Sequence, residues 1–176
     1  MRYIILTLRL SVAAYAAYLL YFLATTEGPA LSGFYTPPLG LRLMDMINLF
    51  IHEGGHFFTR PFGMFIYILG GSLVQCVLPL ALLIVMWRQN IAYAGYAGFW
   101  LGENFVNVSY YIRDAPYKQL KLIAAGLIHD WNWLLGNDAD TAEMLGVLVY
   151  GFGILVCLAS LCSLAVFAAK NFRDEE

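Results

Sequence analysis

Residues 62–87 carry no charged side chain, and that run constrains the fold more than any other feature of the sequence. A helix needs about 20 mainly apolar residues to cross a bilayer's hydrocarbon, and this run is longer. Two further runs repeat the pattern: 10–26, after an apolar lead-in broken by Arg9, and 144–169, closed by Lys170 and Arg173. Of the 176 residues, 61% are hydrophobic and 12% charged, and the mean hydropathy is +0.68. Soluble domains have roughly a quarter of their residues charged, so much of this surface must face lipid. The expectation is an all-α polytopic membrane helix bundle, with residues 1–176 forming one membrane-embedded domain. It would be an integral, multi-pass protein of the cell (inner) membrane, with the lipid bilayer as its surroundings. A net charge of −2 gives no sign of nucleic-acid binding.

Taken in order, the chain divides at its polar and breaking residues. Ala14-Tyr15-Ala16 resembles a signal-peptide cleavage site, but the apolar run continues well past it, which favours a retained first helix. Tyr15, Tyr18, Tyr21 and Phe22 read as packing and interfacial anchors. Residues 27–40, with Gly28, Pro29, Gly33, Pro37 and Pro38, read as a loop. Segment 41–59 is a helix interrupted by polar residues and ended by Arg60-Pro61. Residues 62–69 read as irregular or re-entrant, and 70–87 as a helix kinked near Pro79. Segment 91–112 has Gly95, Gly98 and Gly102 for close packing. Residues 120–135 form a weaker apolar segment, 136–140 a turn, and Asp140-Thr141-Ala142-Glu143 a helix-capping sequence. Five to six membrane segments follow, according to whether 120–135 crosses. Six keeps Arg60, Arg113, Lys118, Lys121, Lys170 and Arg173 on the cytoplasmic side, with Arg88 the exception, and is favoured. Cys76, Cys157 and Cys162 all lie in apolar runs and read as buried thiols rather than a disulfide framework.

Against this background the string His52-Glu53-Gly54-Gly55-His56 stands out. Four residues apart on a helix, His52 and His56 lie one above the other. Two imidazoles so placed can share one zinc ion, Zn2+, with Glu53 as general base toward a water on the metal. Asp45 and Asn48 continue the same polar stripe, and a polar stripe in lipid must face protein or a wet cavity. A zinc site needs a third protein ligand. The candidates are His129 and Asp130, one binding directly and the other orienting it. On chemistry alone His129 is preferred, because imidazole is a common zinc ligand. Trp131 and Trp133 read as interfacial anchors, and Glu103, Asn104 and Asn107 as supports or helix-linking groups. Ser72 and Gln75 are candidates for binding an extended substrate backbone.

The motif resembles that of the membrane-embedded zinc metalloproteases of the site-two protease class, including the glycine before the second histidine. Gly70-Gly71-Ser72, opening into a span with Pro79, is also similar to that class. In such proteases the third ligand is an aspartate on a later membrane segment, in an Asn-Pro setting that this sequence lacks. His129-Asp130-Trp131-Asn132 occupies the corresponding place, so the resemblance implies Asp130 as ligand. It also implies hydrolysis of peptide bonds in membrane-associated protein or peptide substrates, with Zn2+ as cofactor and Glu53 catalytic. A metal hydrolase acting on a lipid or small amphiphile is the alternative. Another is a membrane protein in which the histidines bind metal without catalysis.

Overall fold

The computed structural model describes residues 2–26, 28–29, 35–89, 91–124 and 126–174, and among them every regular element is helical. The long helices are α1 (Arg2–Thr25), α2 (Leu39–Thr59), α3 (Met64–Gln89), α4 (Ile91–Arg113) and α6 (Ala139–Asp174), with the six-residue α5 (Asp130–Leu135) between the last two. Lipid cannot hydrogen-bond a free backbone, so long apolar segments satisfy their own amides as helix.

Three helices are long and apolar enough to cross a membrane: Tyr3–Thr25, Met64–Gln89 and Ala139–Ala168. Five to six such segments were expected. α2 and α4 fall short because polar residues interrupt them, yet α2 is built inside out. Asn48, His52, Gly55 and Thr59 are buried, while Leu43, Met46, Ile47, Phe50, Phe57 and Phe58 are exposed. Residues 120–135 do not form a crossing helix: turns and extended chain lead to the short α5. The loop expected at 27–40 is seen in part, at 28–29 and 35–38, whereas 27 and 30–34 lie outside the described residues.

The irregular stretch expected at 62–69 is confined to a 3-10 turn, Arg60–Phe62, and to Gly63 at φ +92°. Pro61 ends the preceding helix, and Gly63 takes the left-handed reversal a side chain would resist. From Met64 onward nothing breaks the helix, and it runs unbroken through Gly70, Gly71 and Pro79. The two glycines serve packing instead. A Cβ on Gly55 would strike the Gly70 carbonyl, and one on Gly70 would strike the Thr59 hydroxyl. The α2 and α3 backbones therefore lie in direct contact beside the histidines.

Gly95, Gly98 and Gly102 do line a close crossing, of α4 on α6. A Cβ at Gly102 would lie 2.7 Å from the Gly153 carbonyl, and one at Gly153 2.7 Å from the Gly102 carbonyl. Arg113 closes this pair with a two-pronged ion pair to Glu143, at 2.8 and 2.9 Å. Tyr150 ties α6 to α1 through the Leu23 carbonyl at 2.9 Å, and Tyr15 accepts the Gly40 amide at the start of α2. α6 is capped by Asp138, two residues earlier than the capping sequence expected. Its carboxylate takes the Thr141 amide at 3.0 Å and hydroxyl at 2.7 Å. All three cysteines are free thiols, with Cys157 buried, Cys76 half-buried and Cys162 exposed.

Candidate metal centre

α2 presents His52 and His56 to one side, and α5 brings Asp130 against them. His52 Nε2 lies 2.9 Å from Asp130 Oδ2, His56 Nε2 lies 3.2 Å from the same oxygen, and the two Nε2 atoms are 3.2 Å apart. Zinc with ligands at 2.0–2.1 Å places neighbouring tetrahedral ligand atoms about 3.3 Å apart. The three atoms thus outline one face of such a tetrahedron.

Protonation points the same way. His56 Nδ1 faces the Tyr67 carbonyl at 2.7 Å, which can only accept, so Nδ1 carries the hydrogen and Nε2 the lone pair. His52 Nδ1 faces Gln75 Oε1 at 3.1 Å, leaving its Nε2 in the same state. Two lone pairs and a carboxylate oxygen converge with no hydrogen between them, and only a cation or an added proton makes that stable. The donor set fits zinc: two imidazoles and a carboxylate, with the fourth direction open.

Glu53, a hundred degrees round the helix from His52, lines the same cavity of about 510 Å3. It makes no hydrogen bond or ion pair among the described residues, so Arg60 does not neutralise it. The cavity runs from the histidines past Asp45 and Tyr111 to a wall made by Leu120, Ile123 and Leu127.

His129, preferred on chemical grounds as the third ligand, lies outside the cluster. Its Nε2 donates to Asp114 at 3.1 Å and its Nδ1 accepts the Asn132 amide at 3.2 Å, so both ring nitrogens are occupied. It instead caps α5 and clamps the preceding loop. Asp114 also takes the Gln119 and Leu120 amides, at 2.8 and 2.9 Å. The Asp130 amide donates to the Tyr111 hydroxyl at 3.1 Å. Trp131, expected at the interface, donates to Ser72 at 3.1 Å and holds α5 on α3. Ser72 and Gln75 are buried in these links, so neither is free to bind a substrate backbone. Asn104 donates to the Trp100 carbonyl of its own helix. Glu103 and Asn107 join a buried chain of polar groups with Asp45 and Asn48.

Asp114, Tyr111 and Asn132 were not singled out by sequence. Asp114 follows directly on the end of α4, where a carboxylate readily captures the amides of a turn, and that was its one visible signal. No protein-family profile matches the chain, and comparison with curated proteins and with solved structures returns no match.

Proposed function

We propose that this protein is a multi-pass intramembrane zinc metallopeptidase hydrolysing peptide bonds of membrane-associated substrates. The observation that carries the reading is the triangle His52 Nε2, His56 Nε2 and Asp130 Oδ2, with edges of 2.9–3.2 Å, beside Glu53, which pairs with none of the described residues, in one cavity. Two histidines and a carboxylate are expensive to hold in a bilayer without a function. The apolar outer face of α2 supports its immersion in lipid alongside the three long apolar helices, with α4 as a fifth membrane helix; an inner membrane is the setting proposed.

Bound in this triangle, zinc would supply a Lewis acid that acidifies water and polarises a carbonyl. His52, His56 and Asp130 would hold it. Glu53 takes the proton from the attacking water and returns it to the leaving amine. Leu120, Leu122, Ile123, Leu127 and Ile128 give the cavity an apolar wall beside Lys121, and Tyr111 steadies Asp130 through its amide. The backbone of 64–69 is committed to α3 and offers no free edge on which an extended peptide could add as a strand. That observation favours a second reading, hydrolysis of a lipid or small amphiphile in the same cavity.

The test is purified, zinc-loaded protein offered membrane-spanning peptides and, separately, lipid amides and esters. Peptide cleavage that Glu53→Gln abolishes with zinc retained supports the first reading. Turnover of lipids alone supports the second, and cleavage undiminished in Glu53→Gln removes Glu53 as the base.

A further inference from the structure

Behind His52 lies a chain of buried polar side chains that the proposed reaction does not use. His52 Nδ1 meets Gln75 Oε1 at 3.1 Å, Gln75 Nε2 meets Asn107 Oδ1 at 2.9 Å, and Asn107 Nδ2 meets Asp45 Oδ1 at 2.9 Å. The Asp45 carboxyl in turn lies beside that of Glu103. From the other side Trp100 Nε1 meets Asn48 Oδ1 at 2.8 Å, and Asn48 Nδ2 meets Glu103 Oε2 at 2.7 Å. Asn48 is 1% exposed, Gln75 2% and Glu103 2%, while Asp45 and Asn107 are half-buried on the cavity wall.

We propose that the Asp45–Glu103 pair, three hydrogen bonds from His52, selects which nitrogen of that imidazole is left free for the metal. An amide group turned end for end has the same shape, so its direction is set by partners that cannot reverse. This network has such partners at both ends. The Trp100 indole only donates, so Asn48 turns its oxygen to the indole and its NH2 to Glu103. Two neighbouring carboxyl groups hold one proton between them, and with that proton engaged the pair can only accept from Asn107 and Asn48. Asn107 therefore turns its NH2 to Asp45 and its oxygen to Gln75. Gln75 donates to that oxygen and turns its own oxygen to His52. His52 must then carry its hydrogen on Nδ1, which leaves the Nε2 lone pair facing His56 and Asp130. Asp45 and Glu103 are positioning residues, acting through Asn107 and Gln75.

The inference rests on the metal-centre part of the proposed function and is independent of whether peptides are cleaved. Its first readout uses metal-free protein: the ring nitrogen shifts of 15N-labelled His52 in detergent, assigned by comparison with His52→Gln. Wild type is expected to show hydrogen on Nδ1. Asp45→Asn still offers an oxygen to Asn107 and replaces the shared proton with an amide hydrogen, so tautomer and zinc affinity are kept. Asp45→Val is expected to give mixed tautomers and a loss of zinc affinity of about 10–100-fold, the usual effect of removing a ligand's orienting partner. Asn107→Leu interrupts the same chain from α4 and is expected to do likewise should Asp45→Val fail to fold. Trp100→Phe removes a bond on the other arm and leaves the His52 tautomer as it was. Wild-type tautomer and zinc affinity in Asp45→Val, or in Asn107→Leu where the former does not fold, overturn the proposal. So does a wild-type His52 already protonated on Nε2 in place of Nδ1.

Discussion

Gly71 shows how little room the metal-binding face has. A Cβ there would lie 2.5 Å from His52 Nε2 and 2.6 Å from His56 Nε2. Gly71→Ala is therefore expected to push the rings off their shared direction. Overpacking of this kind costs about 1–3 kcal/mol, so zinc affinity should drop at least about fivefold in competition with a chromophoric chelator. His129 makes the opposite case. His129→Ala should keep the metal but take from Asp114 one of its three donors, at a cost of about 1–3 kcal/mol seen as a lower thermal midpoint. The sequence carried much at this scale. The spacing of His52 and His56 and the acidity of Glu53 are visible in the motif itself. The choice between His129 and Asp130 was not, because it depends on Asp114, fifteen residues away, having occupied the imidazole. Nor can a sequence display a main-chain acceptor such as the Tyr67 carbonyl, which sets the His56 hydrogen.

Among the elements, α4 and α6 meet by close backbone approach at Gly102 and Gly153, with the rings of Phe105 and Phe152 packed edge to face alongside. Gly102→Val would put branched carbon into the Gly153 carbonyl and the Cys157 amide. It should destabilise the bundle by about 1–3 kcal/mol, measured by unfolding in detergent, with His52 and its neighbours otherwise intact. The start of α6 should respond to acid. The amide of Thr141 and then its hydroxyl hold the Asp138 carboxyl below the ordinary range. Its cap therefore stabilises the folded state above the ordinary aspartate range and is lost as pH falls through the lowered value. The Thr141 amide resonance should titrate below the usual aspartate range in wild type and not at all in Asp138→Asn, which still caps. The small-residue spacing of Gly95, Gly98 and Gly102 was legible as packing. Gly70 and Gly71 misled, because glycine inside an apolar run reads as a breaker, whereas here it admits a neighbouring helix. Residues 120–135 misled for a related reason: Leu120, Leu122, Ile123, Leu127 and Ile128 line a cavity from a segment that is not a long helix.

For the molecule as a whole, the apolar runs made the membrane class plain, and the three long spans follow from them directly. What the runs concealed was the inside-out build of α2, whose polar stripe lowers its hydropathy while its outer face stays apolar. A cysteine-free background carrying single cysteines at Phe50 or Phe57 should resist a water-soluble maleimide in intact membranes and react in detergent. Rapid reaction in intact membranes would take α2 out of the bilayer. The central claim is that α2 and α5 together hold one metal ion through His52, His56 and Asp130. Its most direct measurement is the zinc content of protein purified under metal-replete conditions, as wild type and as three single variants. The expected result is one zinc per chain in wild type and in His129→Ala, and none in His52→Ala or Asp130→Ala. Wild type without zinc, or Asp130→Ala with its full complement, would contradict the account.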